Sequence, residues 1–152
     1  MTALIPDPRG RLVSGLERVW LAAGRISPPY APGVVVEGDG PLSERTWTAA
    51  WQTVLADHPL LAARLVGRGR HLRWAAGGPR PPVDVVDTPW DGRDGQAAPW
   101  LTPRMQPNTD PLLRAVLEPR SGRYAVVAHH ALLDGRALYH LAERWAAAAR
   151  GE

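Results

Sequence analysis

A short apolar segment, followed by two histidines and a helix start, is the feature that most constrains this chain. Residues 124–128 are apolar and partly β-branched, which predicts a buried strand. His129 and His130 follow it directly, and Asp134-Gly135 then marks a turn or helix start with Asp134 as a candidate N-cap. The next apolar residues recur at helical spacing and form one face of a helix: Leu138, Leu141, Ala142 and Trp145.

The two adjacent histidines admit more than one interpretation. Successive side chains of a regular strand point to opposite faces, so only one of the two rings could face a given cavity. A neutral imidazole accepts a proton from an alcohol or amine near neutral pH, which allows one ring to act as a general base. Alternatively, both rings are structural residues at a strand end. A metal site formed by His130, Asp134 and His140 is a third possibility, although this spacing is not typical of zinc sites and the chain has no cysteine.

Composition limits the classes of function. A chain of 152 residues is long enough for one domain with a core. The net charge is only +3 and the arginines are scattered, apart from Arg68, Arg70 and Arg73, so no nucleic-acid-binding footprint is predicted. The N-terminus lacks a signal-peptide core and no apolar run approaches a membrane span, so we expect a cytoplasmic protein without membrane contact.

Periodicity predicts two further helices. The first covers residues 12–21, with Ser14 as its cap, Gly24 as its terminator and an apolar stripe at Leu16, Val19 and Trp20. The second covers residues 43–57, capped by Ser43, with a stripe that should pack on a core at Trp47, Ala50, Trp51, Val54 and Leu55.

Strands are predicted at 34–36, 69–75, 83–87 and 111–117, the last of which forms a hairpin with 123–128 through the turn at 119–122. Residues 88–110 are rich in Pro, Gly and Asp and are predicted to be irregular, apart from one short helix at 97–105. Trp90 and Trp100 are expected to anchor this segment to the core.

The segment His129-His130-x-x-x-Asp134-Gly135 resembles the HHxxxDG signature of the chloramphenicol-acetyltransferase-like superfamily, which includes condensation domains of nonribosomal peptide synthetases. Two other segments agree in order. His58-Pro59-Leu60-Leu61 resembles a His-Pro-x-Leu-Arg segment of the family, and residues 111–117 resemble the Pro-Leu-x-Arg segment that leads into the strand before the motif. The resemblance covers nearly the whole chain but only the N-terminal half of the family. It implies an α/β fold, a two-layer α+β sandwich in which helices pack on one side of a mixed sheet. Residues 1–152 would form a single lobe, without the second one.

The resemblance also implies a function. Members of the superfamily transfer an acyl group from a coenzyme A or carrier-protein phosphopantetheine thioester to an amine or alcohol, with no bound cofactor. His130 would be the general base or position the nucleophile, and His129 would be structural. Asp134 would point away from the cavity and hold the loop, and Gly135 would leave room for substrate. Such a protein belongs to nonribosomal peptide synthesis or related secondary metabolism.

Two departures from the family pattern matter. Ala62 stands where the family has the arginine that pairs with the aspartate of the motif, and Arg64 is our candidate substitute, unless it is merely solvated. One lobe alone would leave His130 at an open surface, so we expect little activity without a second lobe, supplied by another chain or an oligomer partner. A carrier protein is a further possible partner.

Two other hypotheses stay open at this point. The chain could be a non-catalytic module that binds a carrier protein or a partner enzyme, which the missing arginine favours. It could also be an unrelated α/β binding protein with a fortuitous motif, which the agreement of three ordered segments disfavours.

Overall fold

The computed structural model describes residues 10–87 and 98–152. Within these two ranges the helices are α1 (Gly15–Ile26), α2 (Glu44–Asp57) and α3 (Gly135–Arg150). The strands are β1 (Arg11–Leu12), β2 (Gly33–Glu37), β3 (Arg64–Val66), β4 (Arg73–Ala75), β5 (Val83–Val85), β6 (Leu113–Glu118) and β7 (Arg123–Ala128). Short 3-10 helices lie at Pro59–Ala62, Gly69–His71 and Pro99–Leu101.

The main sheet has the strand order β2-β7-β6-β5. Strand β7 pairs antiparallel with both β2 and β6, and β5 adds to β6 in parallel, so the sheet is mixed. Helices α2 and α3 pack together over this sheet and bury a core that includes Trp51, Leu113, Val126, Leu138 and Trp145. The predicted fold class, an α/β sandwich with helices on one side of a mixed sheet, is confirmed for this sheet.

A second, smaller sheet was not foreseen. It has the order β1-β4-β3, and both of its pairings are antiparallel. Its core is separate from that of the main sheet and joins one residue of α1 to residues of the loops and strands: Val13, Leu21, Ala63, Trp74, Leu112 and Ala131. The carbonyl of Leu112 accepts a hydrogen bond from the N–H of His129, and Ala131 follows His130 directly in the chain, so this second core adjoins the motif.

Three predicted elements are confirmed closely. Helix α2 begins after Ser43, whose hydroxyl accepts a hydrogen bond from the N–H of Thr46, and the predicted stripe of α2 is buried or packed against the core. Helix α3 buries the predicted stripe completely. The hairpin of β6 and β7 pairs Leu113 with Ala128 at the motif end.

The bounds predicted for the first helix, residues 12–21, were wrong at both ends. Ser14 is the cap as predicted, but Leu12 lies in β1, and α1 runs from Gly15 through Gly24 to Ile26. Of the predicted stripe, Trp20 is half-buried against the second core, whereas Leu16 and Val19 are each more than half exposed.

Smaller errors concern the strands. Residues 69–71 form a 3-10 turn, and only Arg73–Ala75 is strand, because Gly69 has a positive φ of 52° that breaks the extended chain. The strand at 83–87 ends at Val85, and the helix expected at 97–105 is a 3-10 helix at Pro99–Leu101. Trp100 is half-buried, and Trp90 lies outside the described residues.

Across residues 10–87 and 98–152, no helix has both the length and the apolar character needed to cross a membrane.

Candidate functional site

Backbone hydrogen bonds hold the two histidines just beyond the end of β7. The N–H of Ala128 donates to the carbonyl of Pro32 (3.1 Å), and that of His130 donates to the carbonyl of Tyr30 (3.0 Å). Between them, the N–H of His129 donates to the carbonyl of Leu112 (2.9 Å) on the other side. The segments on both sides of β7 thus remain hydrogen-bonded to the chain where it leaves the strand. The positions of the two histidine Cα atoms are therefore fixed by the sheet.

The His129 side chain lies in a buried environment. It is 3% exposed, and its Nδ1 accepts a hydrogen bond from the N–H of Ala131 (3.1 Å). A nitrogen that accepts a hydrogen bond carries no proton, so the neutral ring has its proton on Nε2. Burial lowers the pKa of His129, and the neighbouring His130 lowers it further. His129 is therefore a neutral ring that braces the loop after β7.

Helix α1 approaches His129 at Gly24. A Cβ atom added at Gly24 would lie 2.7 Å from Nε2 of His129, which is closer than non-bonded atoms tolerate. Gly24 lies inside α1, where glycine costs helix stability relative to alanine. The close packing of the His129 imidazole against the helix backbone explains why glycine occupies this position.

The His130 ring lies in a cluster of three nearly parallel aromatic rings. Its centroid is 4.6 Å from that of Trp20 with an interplanar angle of 3°, and 5.8 Å from that of Tyr30 with an angle of 20°. The Trp20 and Tyr30 centroids are 5.5 Å apart. His130 is half-buried, and its Nδ1 is buried with no hydrogen-bond partner among the described residues. The two histidines thus have different surroundings, although both contact α1.

Asp134 and Gly135 start α3. The Asp134 side chain is the N-cap, and its Oδ1 accepts a hydrogen bond from the N–H of Ala137 (2.8 Å). A Cβ added at Gly135 would meet no atom within 4 Å. Among the described residues, nothing packed against position 135 therefore requires glycine there.

The structure does not bring Arg64 to Asp134. Arg64 is exposed in β3, and neither residue belongs to an ion pair within residues 10–87 and 98–152. Ala62, at the position of the family's arginine, ends the 3-10 helix after α2. Asp134 thus stabilises the loop as a helix cap, without an arginine partner in the described chain.

A metal site at the motif finds no support in the arrangement of side chains. In the described parts of the chain, no three His, Asp or Glu side chains come close enough together to hold a metal ion. His140, which was considered as a ligand together with His130 and Asp134, is exposed on α3.

Sequence reasoning missed three residues that contact the histidines. Trp20 and Gly24 are one helical turn apart on α1, and Tyr30 follows in the loop before β2. The i, i+4 spacing of Trp20 and Gly24 places them on one face of α1, which was the available signal. Gly24 was instead interpreted as a helix terminator, and Tyr30 gave no signal because it lies in an irregular Pro-rich loop.

Comparison with solved structures identifies the fold. The chain is similar to the tallysomycin biosynthesis protein TlmII, with a TM-score of 0.74 and 24% identity over 93% of this chain and 38% of that one. It is similar to the starter condensation domain of rhizomide synthetase RzmA in complex with C8-CoA, with a TM-score of 0.70 and 22% identity over 91% of this chain and 34% of that one.

A third similar structure is the SgcC5 protein from Streptomyces globisporus, with a TM-score of 0.67 and 20% identity over 91% of this chain and 37% of that one. No protein-family model matches the chain, and no curated protein matches it in sequence. The chain spans less than two fifths of the length of these three structures.

The chain therefore shares its α/β fold with about a third of the length of solved condensation-domain structures. This is the fold that the HHxxxDG resemblance implies.

The contact between Gly24 and His129 predicts the sign of a stability change. Replacing glycine by alanine inside a helix ordinarily stabilises it by about 0.5–1 kcal/mol. We expect Gly24→Ala to destabilise the fold instead, because the added methyl group displaces the buried His129 ring. Chemical denaturation measures the change, with Gly15→Ala as the matched control on α1, since a Cβ there meets nothing within 4 Å. A Gly24→Ala chain as stable as Gly15→Ala would show that His129 does not need this space.

The lowered pKa of His129 predicts a pH dependence of stability. Its pKa in the folded chain lies below the ordinary value of about 6.5 for an unfolded histidine. The unfolded state therefore binds more protons in that interval, and the stabilisation present above about pH 6.5 is lost as the pH falls through the folded pKa. We expect the unfolding midpoint in denaturant to drop between pH 7.5 and pH 5.

A comparison of two histidine variants assigns this effect. His129→Gln should flatten the pH dependence, whereas His71→Gln, at an exposed position, should preserve it. An equal slope in His129→Gln and the unaltered chain would assign the effect to other groups.

Proposed function

We propose that this chain is the histidine-bearing lobe of a condensation-type acyltransferase, which needs a second lobe for activity. The reaction would transfer an acyl group from a thioester to an amine or alcohol. The observation that carries this proposal is the placement of His130 in a condensation-type fold: the ring stands at the end of a central strand, stacked on Trp20, beside a second histidine that is buried and braced.

The chemistry assigned to His130 is proton transfer at Nε2. The acceptor's nitrogen or oxygen attacks the thioester carbonyl carbon while Nε2 takes the proton of the attacking N–H or O–H group. The new amide or ester bond forms, the carbon–sulfur bond breaks, and the thiolate leaves with the proton from the imidazolium. This role requires a neutral ring protonated on Nδ1, with the lone pair on Nε2.

The surroundings of Nδ1 support the need for a second lobe. The tautomer of a histidine is set by the hydrogen bond that its other nitrogen makes, and Nδ1 of His130 is buried without an acceptor in the described chain. Nothing described therefore selects the form that is protonated on Nδ1. A second lobe would supply or order the missing acceptor and would also exclude water from the reacting groups.

The exposed stripe of α1 supports the same proposal. Four apolar side chains on or just before this helix are each more than half exposed: Leu12, Leu16, Val19 and Ile26. Leu16 lies one turn before Trp20, so the stripe borders the rings that hold His130. Exposed apolar patches of this kind typically mark surfaces that another polypeptide covers. A second lobe, as the continuation of this chain, a separate chain or an oligomer partner, would bury it.

The donor and the setting follow by similarity. The starter condensation domain of rhizomide synthetase was solved with C8-CoA, so a coenzyme A thioester is the first donor to test. A phosphopantetheine thioester on a carrier protein is the second. We place the reaction in nonribosomal peptide synthesis or related secondary metabolism, because TlmII is a tallysomycin biosynthesis protein and RzmA is a rhizomide synthetase.

A second candidate function is a non-catalytic module that binds a carrier protein or a partner enzyme. Two observations favour it: Ala62 replaces the arginine of the family segment, and Nδ1 of His130 has no described acceptor. The two candidates differ in whether turnover depends on His130.

Substitution of His130 tests catalysis directly. The chain, assembled with the polypeptide encoded beside it, is supplied with octanoyl-CoA and a panel of amines and alcohols, and thiol release and acylated product are measured. We expect His130→Ala to lower turnover by at least about 100-fold, the usual effect of losing a general base. His140→Ala, at an exposed position on α3, should change turnover less than twofold. An assembled complex without His130-dependent acyl transfer would leave the binding module as the function.

Substitution of the α1 stripe tests the need for a second lobe. We expect Leu16→Ser combined with Val19→Ser to weaken the association of this chain with the second lobe by about tenfold or more. The reason is that both substitutions remove an apolar contact that would form on binding. Leu60→Ser is the control, since Leu60 is half exposed in the 3-10 helix after α2. Calorimetric titration measures the affinity, and circular dichroism verifies the fold. Equal affinity in the double variant and the control would place the lobe interface elsewhere.

A further inference from the structure

The orientation of the His130 ring depends on a contact with a single side chain of α1. The backbone N–H of His130 is bonded to the carbonyl of Tyr30, which fixes the start of the side chain but leaves its two torsions free. The second torsion of histidine has broad minima and does not by itself define the plane of the ring. The parallel indole of Trp20, 4.6 Å from the imidazole at an angle of 3°, supplies that definition.

Trp20 is itself firmly held, because α1 is tied to the body of the lobe on several sides. The N-terminus of α1 has the capping box of Ser14 and Glu17, and Leu21 of this helix is buried in the core of the small sheet. Arg18 donates hydrogen bonds to the carbonyls of Gly69 (2.6 Å) and Arg70 (3.3 Å), which links α1 to the turn between β3 and β4. The indole is thus presented from a fixed helix and not from a loop.

We propose that Trp20 is a positioning residue for His130. The indole face holds the plane of the imidazole, so that Nδ1 stays in its buried position and the ring does not turn about its Cβ–Cγ bond, which would put Cδ2 in place of Nδ1. Tyr30 contributes a second nearly parallel ring, at a centroid distance of 5.8 Å. The catalytic consequence rests on the proposed function of His130 as a base, whereas the fixed orientation of the ring does not.

The stacking contact is tested in the chain by nuclear magnetic resonance of the histidine ring protons, with His130 assigned through His130→Gln. The orientation is tested by nuclear Overhauser contacts between these protons and those of the Tyr30 ring, which should be lost in Trp20→Leu. A stacked indole shields the protons of the imidazole through its ring current. We expect Trp20→Leu to move the His130 ring protons downfield, toward the positions of exposed His71 and His140. Trp20→Phe, which retains an aromatic face, should give an intermediate shift.

A matched tryptophan substitution provides the control. Trp47→Phe alters an aromatic cluster in the core of the main sheet and should leave the His130 resonances in place. Unmoved His130 resonances in Trp20→Leu would overturn the proposal. If circular dichroism shows that Trp20→Leu is unfolded, Trp20→Phe and Trp20→Tyr replace it, and unchanged His130 resonances in both would likewise overturn the proposal.

The catalytic consequence is measured in the assembled enzyme. We expect Trp20→Leu to lower kcat about tenfold or more while KM changes less than twofold, because a misdirected base harms the chemical step and not substrate binding. Trp20→Phe should recover most of the loss. A resonance shift with unchanged kcat would overturn the catalytic part of the role. A resonance shift in an assembly that shows no acyl transfer at all would instead overturn the proposed function and leave the positioning contact standing.

Discussion

Backbone pairing that continues past the end of β7 is the constraint on which the site depends. Strand β7 lies between β2 and β6, and the segments beside it remain bonded to the next two residues of the chain. His129 is bonded toward Leu112 and His130 toward Tyr30, so adjacent residues are held from opposite sides. The different environments of the two rings follow from this arrangement. Because the sheet determines the backbone, a side-chain substitution at the motif should alter chemistry more than fold.

The sequence predicted the elements that bury an apolar face within the chain itself. Helices α2 and α3 and the hairpin of β6 and β7 all pack on one core, and the periodicity of their apolar residues reports that packing. Helix α1 has an equally regular stripe, but Leu16 and Val19 point outward. Periodicity identifies an apolar face without specifying what covers it, so the orientation of α1 could not be predicted from the pattern.

In the candidate site, too, local sequence patterns predicted where residues lie but not which distant residues contact them. The positions of His129, His130 and Asp134 at a strand end and a helix start could be predicted from local patterns. The role of Gly24 could not, because the His129 ring that explains it comes from a distant part of the chain. The strand predicted at 69–75 is only partly formed, as β4, since glycines with positive φ at positions 67 and 69 interrupt the extended chain before it.

Helix α1 connects the outer surface of this lobe to its histidines. Leu16 and Val19 are exposed on this helix, and beside them Trp20 and Gly24 contact His130 and His129. The inward contacts are already close, and Gly24 has no side chain to compress, so the helix cannot move toward the motif without displacing a ring. A polypeptide that packs on Leu16 and Val19, as proposed above, would also restrict the movement of this helix away from the motif. The proposed second lobe would then steady Trp20, and through it His130, without a direct contact with either ring.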